Sequence, residues 1–477
     1  MAAPTGTGKT FLARLLILNT IQDNENLKIL YLVPSKALVY EVSKDLESAF
    51  SELSFTVMAV NPQLTSLDEE GNSELEKARI LVITPEKADL LLRLSKDILG
   101  DVALVVVDEA HHIESGTRGV LLELYLWRLK KLLSKDTKYI FLSAVAPNVF
   151  DLTNWLGNNP KSLLFEERAN RMNAGVFNIR GVGKNKIGQI NYTNGISFDV
   201  IRENVQAGKG MRGLLVQLCE KLKVNGPVLT VAKGKKECER LAEEMVIWLK
   251  SVQKLNSLSA VELSSATFKR LDTRLEREMY SDIPLRKLVR NRIAYHHAGL
   301  PPRVRRALED AIKKGLIDFV FATTTLAEGV NFPFSSVVVQ SIALRQGPGE
   351  KEKVYVPITP RVFWNIAGRA GRPGFDKEGQ VILFEPTLGL EKVNAVIGDY
   401  LKPNIKKINP VKSALSDSII ELKDKIDNKK ISRQQISKIE LDKDLPKTVK
   451  GSINLLRVGL VHAEAENLLE VPADIID

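Results

Sequence analysis

Val102-Ala103-Leu104-Val105-Val106-Val107-Asp108-Glu109-Ala110-His111 is the stretch that decides the architecture. Six apolar residues without alternation read as a strand buried on both faces, which requires a parallel sheet covered by helices. The run ends abruptly in two carboxylates. Working outward, the same design recurs at residues 29–33 before Pro34-Ser35-Lys36, at Ile80–Ile83 before Thr84-Pro85-Glu86, and at residues 139–142 before Ser143. The stretches between suit crossover helices, among them residues 35–50 and Pro85–Leu94. Ligands of such sheets bind beyond the carboxyl ends of the strands, where these polar clusters fall.

The second half repeats the scheme. Residues 228–232 precede Lys233, residues 293–295 precede His296-His297, Phe319–Ala322 precedes Thr323, residues 337–339 precede Gln340, and residues 381–384 close the series. Pro301-Pro302 set the first turn of a helix expected to run to about Lys314, with Gly315 as its C-cap. No short-period repeat is present, so the likeness of the halves is architectural. The expected organisation is α/β: a first domain over 1–160, a connector over 161–205 rich in Asn and Gly with a hairpin near 181–186, a second domain over 206–400, and a small helical appendage over 401–477. Weak helical periodicity at 414–431 and an apolar run at 453–461 are its features, and it is where a protein partner is expected.

At 477 residues the chain is long enough for two to four domains, at roughly 100–200 residues each. No apolar run approaches the roughly 20 residues of a membrane span, which excludes a membrane-spanning helix. Cys219 and Cys238 can neither staple a chain of this length nor make a zinc module, and they favour a reducing, cytoplasmic setting. The net charge of +10 is uneven: residues 1–160 carry 16 Lys/Arg against 21 Asp/Glu, residues 161–400 carry 38 against 25, and residues 401–477 carry 14 against 12. A basic middle region of that size is the footprint of a polyanion partner.

Three motifs carry chemistry. Ala3-Pro4-Thr5-Gly6-Thr7-Gly8-Lys9-Thr10 fits the phosphate-loop pattern, with an apolar helix directly behind it. Thr5, Gly6, Thr7 and Gly8 turn backbone amides toward a triphosphate, Lys9 neutralises its charge, and the Thr10 hydroxyl suits magnesium. The helix start adds its dipole. Asp108 is the second magnesium residue, and Glu109 polarises the attacking water. His112 has no further ligands at metal spacing and is taken as a neighbour only. In Asn365-Ile366-Ala367-Gly368-Arg369-Ala370-Gly371-Arg372, two arginines three apart can point one way and fork onto phosphate oxygens. Glycines at 368 and 371 are out of place in a merely solvated helix.

Together these strings resemble the superfamily 2 helicases of the DExH-box type, in the Ski-type branch that holds archaeal fork-repair and RNA-exosome helicases. The resemblance covers about residues 2–386 in the family's order. It rests also on His296-His297-Ala298-Gly299-Leu300, on Thr323-Thr324-Thr325-Leu326-Ala327-Glu328-Gly329-Val330-Asn331-Phe332-Pro333, and on 368–376. It implies two tandem RecA-like P-loop NTPase domains and an ATP hydrolase with Mg2+ that works as a helicase or translocase, 3′ to 5′, on single-stranded or partly duplex DNA or RNA. By the same resemblance Arg369 and Arg372 act as fingers from the second domain, and Gly329 lies near the nucleotide. Pro34, Ser35, Lys36, Thr84, Pro85, Glu86 and Lys87 grip the strand from the first domain, and Thr323 and Thr324 grip it from the second. A hairpin over 344–356 would be the wedge that splits a duplex, or simply an exposed turn.

Departures temper the expectation. The strand that leads into the phosphate loop is reduced to Ala2-Ala3, as in an N-terminally truncated product. Ser143-Ala144-Val145 replaces the common Ser-Ala-Thr, and Asn365 replaces Gln. Nothing after residue 400 matches the family's winged-helix and ratchet domains. Two alternatives therefore stand beside the helicase: an ATP-driven remodeller that does not separate strands, and a catalytically disabled nucleic-acid-binding remnant.

Overall fold

The computed structural model describes residues 1–3, 8–23, 27–53, 55–60, 75, 77–94, 99, 101–143, 148, 151, 154, 161–165, 171–181, 186–201, 210–279, 284–324, 332, 334–341, 343–346, 354–371, 378–387, 396–401, 410–417 and 420. The chain divides into two compact units. The first runs to Glu167 and takes in the chain again from Ile408, and the second runs from Arg168 to Lys407.

In the first unit the chain runs through helix α1 (Lys9–Asp23), strand β1 (Lys28–Leu32), helix α2 (Lys36–Ala49), strands β2 (Val57–Ala59) and β3 (Ile80–Ile83), helix α3 (Pro85–Leu94), strand β4 (Val102–Val107), helix α4 (Gly116–Leu132) and strand β5 (Lys138–Phe141). The five strands form a parallel sheet in the order β2-β3-β1-β4-β5. Alternate residues of the apolar runs enter two different cores. Leu30, Leu32, Leu81, Ile83, Val105 and Val107 pack with α3 and α4 residues such as Leu91 and Leu126. Ile29, Tyr31, Ile80, Val82, Leu104 and Val106 pack with Ile17 of α1 and Leu46 of α2. Both faces are dry, which is why the strands lack polar alternation. Ala2 is bridged in parallel to Ser143 and to Leu164, with Ala3 N–H donating to Ser143 O at 3.1 Å and Ala2 N–H to Leu163 O at 2.8 Å. The two alanines are fully buried in the sheet.

The second unit holds strands β6 (Arg171–Arg180), β7 (Ile187–Tyr192) and β8 (Ser197–Ile201), helix α5 (Met211–Leu222), strand β9 (Val228–Val231), helices α6 (Lys235–Ser251), α7 (Ala260–Ser264), α8 (Ala266–Glu278) and α9 (Pro284–Arg290), strand β10 (Ile293–His296), helix α10 (Pro302–Lys313), strands β11 (Phe319–Ala322), β12 (Ser336–Val339), β13 (Ala343–Gln346) and β14 (Val354–Pro357), helix α11 (Pro360–Ala367) and strand β15 (Glu378–Phe384). One eight-stranded sheet runs β10-β11-β9-β12-β15-β6-β7-β8, parallel as far as β6 and antiparallel beyond it. Gly315 ends α10 with φ +72, as a left-handed cap requires.

Two expectations need correction. Within the span expected as a connector, the described residues 171–201 hold β6 to β8, which extend the second sheet, and β6 pairs with β15 along Glu378–Phe384. Residues 410–417 of the last segment do not stand apart either. Asn148 clasps Val411, its Nδ2 donating to Val411 O at 2.9 Å and its Oδ1 accepting from Val411 N–H at 2.8 Å. Glu123 of α4 accepts from Ser413 Oγ at 2.6 Å and from Leu415 N–H at 3.3 Å. Val411 joins the core beneath α4, so residues 410–417 belong to the first unit. The helical periodicity expected at 414–431 corresponds to helix at 414–417, and residues 421–477, with the apolar run at 453–461, lie outside the described residues. The ribbon β13–β14, with Arg345 opposite Tyr355, forms the two legs of the expected hairpin, while residues 347–353 at its tip lie outside them. Among the described residues no helix is long and apolar enough to cross a membrane.

Candidate functional site

In the first unit, the chemistry collects at the carboxyl ends of β1, β3 and β4. Gly8 has φ +87, a conformation that a side chain would strain, and it delivers the chain into α1. Lys9, the first residue of that helix, is buried, and its Nζ donates to Ala3 O at 2.7 Å. Thr10 follows in the same first turn, where backbone N–H groups lack intrahelical acceptors. Thr5, Gly6 and Thr7 lie outside the described residues.

Asp108 closes β4, and both of its oxygens are held. Glu109 N–H donates to Oδ1 at 2.9 Å and Tyr31 Oη to Oδ2 at 3.2 Å. Burial, and then the neighbouring Glu109 charge, push the Asp108 carboxyl up to about 7, against the pull of Lys9 and of these hydrogen bonds. Two half-buried carboxylates side by side favour a cation, and the donors, a carboxylate and the Thr10 hydroxyl, are the hard oxygens that Mg2+ takes. Glu109 stands at φ 50, left-handed for a residue with a Cβ, a strain typical of functional turns. The turn is tied down by Ala110 N–H to Leu142 O at 2.8 Å. His111 Nδ1 lies 3.4 Å from Glu109 Oε2 and 3.5 Å from Ser143 Oγ, so one imidazole joins the DExH turn to the end of β5. His112 Nδ1 meets Ser115 Oγ at 3.0 Å, and burial lowers its pKa. Among the described residues no group of three His, Cys, Asp or Glu side chains is placed to hold a metal.

The expected strand grips flank this site. Ser35 caps α2, accepting from Leu38 N–H at 3.4 Å. Lys36 is exposed at the first turn of α2. Thr84 O accepts the N–H groups of Lys87 and Ala88, opening α3 with Pro85 at its first position. A pocket lined by Pro34, Pro85, Glu86, Asp108, His112 and Arg118 brings the two grips and the Asp108 carboxylate together. Sequence reasoning had no reason to include Arg118, nor Tyr31. The only sign of Tyr31 was a phenol inside an aliphatic strand, and its role needs β1 beside β4.

In the second unit Thr323 follows β11, with its N–H donating to His296 O at 3.2 Å, and Thr324 comes next. Arg369 is buried in the turn after α11, its N–H donating to Ile366 O at 3.1 Å. Gly371, at φ +86, donates to Phe334 O at 2.9 Å. Gly329, Arg372 and Val145 lie outside the described residues, and Asn365 is half-buried in α11.

Comparison with known proteins agrees with this arrangement. The family model described as DEAD/DEAH box helicase matches residues 1–152, and that described as helicase conserved C-terminal domain matches residues 265–374. The chain is 30% identical over 404 residues to the ATP-dependent DNA helicase Hel308 of Caldivirga maquilingensis, covering 84% of this chain and 49% of that protein. It is 27% identical over 432 residues to the ATP-dependent DNA helicase MER3 of Saccharomyces cerevisiae, covering 88% and 33% respectively. It is 28% identical over 401 residues to the pre-mRNA-splicing factor brr2 of Schizosaccharomyces pombe, covering 80% and 17%. The chain thus spans about half the length of the first of these relatives, and less of the other two.

Proposed function

Because the chain belongs to the superfamily 2 helicases of the DExH-box type, in the Ski-type branch, we propose that it hydrolyses ATP on a nucleic-acid strand and uses the turnover to move along that strand and open a duplex. The observation that carries this reading is the pocket in which Asp108 shares walls with Pro34, Pro85 and Glu86. Hydrolytic and strand-holding residues there are neighbours, so a change at one is felt at the other.

Lys9 would hold the terminal phosphates, releasing Ala3 O as it does so. Asp108 and Thr10 would hold Mg2+, which neutralises phosphate charge when bound. Glu109, set in its left-handed turn and steadied by His111, would accept a proton from the attacking water. Arg369 and Arg372 would bring guanidinium charge to the leaving phosphoryl group, a contribution of about 10³–10⁵ in rate. Pro34, Ser35, Lys36, Thr84, Pro85 and Lys87, and Thr323 and Thr324 of the second unit, would grip phosphate and sugar without reading bases. The β13–β14 ribbon supports the wedge reading and hence strand separation. Cys219 and Cys238 are free and buried, which fits a reducing intracellular setting.

ATP hydrolysis with and without matched DNA and RNA single strands at low salt tests the reading, since phosphate contacts are then strongest. Two of the relatives are named DNA helicases, which makes DNA the first strand to try. Glu109→Gln is expected to bind ATP and strand but to turn over at least about 10²-fold more slowly. Absence of stimulation by any strand would leave the disabled-remnant reading in its place.

A further inference from the structure

Glu86 is out of place in a phosphate grip. An ionised carboxylate only accepts hydrogen bonds, and beside a phosphodiester it repels. Its position in the first turn of α3 suits the helix dipole, but that does not explain where the side chain goes. Its Oε1 lies 3.3 Å from Nε of Arg118, in the first turn of α4, and both residues line the pocket with Pro34 and Pro85.

Further along the same two helices lies a second, buried pair. Asp89, one turn along α3 from Glu86, accepts from Arg128 Nη1 at 2.7 Å, and the Arg128 side chain is 2% exposed. That buried pair ties α3 to α4, the same two helices whose first turns carry Glu86 and Arg118. Arg118 is 74% exposed, and Glu86 is 41% exposed. Among the described residues Glu86 is the carboxylate paired with Arg118, and it engages Nε, which leaves the guanidinium further donors for a second acceptor.

We propose that Arg118 is a strand-binding cation of the first unit, and that Glu86 is a positioning residue that aims it and makes no strand contact of its own. The inference rests on the nucleic-acid reading above. An exposed ion pair is worth little, whereas a guanidinium on a phosphate can bond through two parallel N–H groups. Arg118 therefore reaches a phosphodiester at the pocket mouth at little cost, next to the prolines of both grips.

The test is the affinity of the full chain for a labelled oligothymidylate across a salt series, for wild type, Arg118→Ala, Arg118→Lys and Glu86→Gln. Removing one phosphate contact flattens the slope of log affinity against log salt by about 0.7 for a single strand. Arg118→Ala is expected to bind about tenfold more weakly with that flatter slope. Arg118→Lys keeps the charge, and is expected to restore the slope while recovering only part of the affinity. Glu86→Gln is expected to weaken binding a few-fold with the wild-type slope. An unchanged slope in Arg118→Ala overturns the proposal for Arg118. Tighter binding by Glu86→Gln overturns the positioning role, since it would mark an ordinary repelling acid. A wild-type chain that binds no strand would instead remove the function on which both assignments depend.

Discussion

Gly379 passes so close to Ala370 that a Cβ at position 379 would stand 2.6 Å from the Ala370 carbonyl carbon and 2.6 Å from Gly371 N. Strand β15 is thereby the floor on which the Arg369 turn rests, and both neighbouring atoms are backbone, which cannot swing aside. Gly379→Ala must displace the turn. Misplacing a reacting group by about 1 Å can cost about 10²-fold in rate. With Arg369 in its proposed role, this variant is expected to lose strand-stimulated ATP turnover by that order. Lys9 and Asp108 are untouched by it, so binding of a fluorescent ATP analogue is expected to persist. Normal turnover would separate Arg369 from the chemistry.

Glu123 links stability to pH. Ser413 and Leu415 both donate to its carboxylate, yet burial outweighs them and raises its pKa above the ordinary value. The folded chain therefore holds this proton more tightly than the unfolded chain does. The stability gained is fully present below the unfolded pKa, roughly 4.3, and is lost as pH rises through the raised folded value. Glu123→Gln is a neutral near-isostere and removes that dependence. Melting temperatures measured from acid to neutral pH are expected to fall less for Glu123→Gln than for wild type. Parallel curves would show that the segment docks without regard to this charge.

How much was legible in the sequence follows from how locally each feature is determined. The strands around Val102–Val107 and the loop ending at Lys9 announce themselves, because a run buried on both faces and a glycine-lysine turn need no distant partner to be recognised. Strand β6 did not. Asn173, Gly175 and Asn178 are turn formers by local chemistry, but here they serve the sheet. Asn191 Nδ2 donates to Asn178 Oδ1 at 2.9 Å, Asn173 Nδ2 donates to Glu378 at 2.7 Å, and Gly175 leaves room for Ile190. These partners lie across strands and cannot be seen along the chain. Tyr31 and Arg118 were hidden for the same reason, and the return of Ser413 to Glu123 spans 290 residues. The two carboxylates were visible as a pair, while the left-handed turn that separates their roles was not.

Asp89 and Arg128 form a buried ion pair in the first unit, with side chains 11% and 2% exposed. Arg128→Met leaves Asp89 charged, buried and without that partner, which costs about 3–5 kcal/mol. Removing both charges with Asp89→Leu and Arg128→Met together leaves neither charge facing a missing counterion, and such replacements are often neutral or stabilising. Urea unfolding of the two variants is expected to show the single change as the more destabilising one. Equal losses would assign the cost to packing rather than to the uncompensated charge.

Gly119 in α4 sets two backbone preferences against each other. Alanine inside a helix is favoured over glycine by about 1 kcal/mol, so Gly119→Ala would stabilise an isolated helix. Here a Cβ would lie 2.1 Å from Ile113 O and 2.9 Å from the Ala414 Cβ. Ile113 belongs to the short turn Ala110–Glu114 directly after Glu109, and Ala414 to the segment held by Glu123. Overpacking of this kind costs typically about 1–3 kcal/mol, and a carbonyl oxygen at such range cannot yield without moving its turn, so the clash outweighs the helix gain. Gly119→Ala is expected to lower the melting temperature and slow ATP turnover together, because the displaced turn is the one that orients Glu109. Hydrogen exchange at residues 411–417 is expected to rise in the same variant. A more stable protein with unchanged exchange would mean that α4 can shift outward to make room.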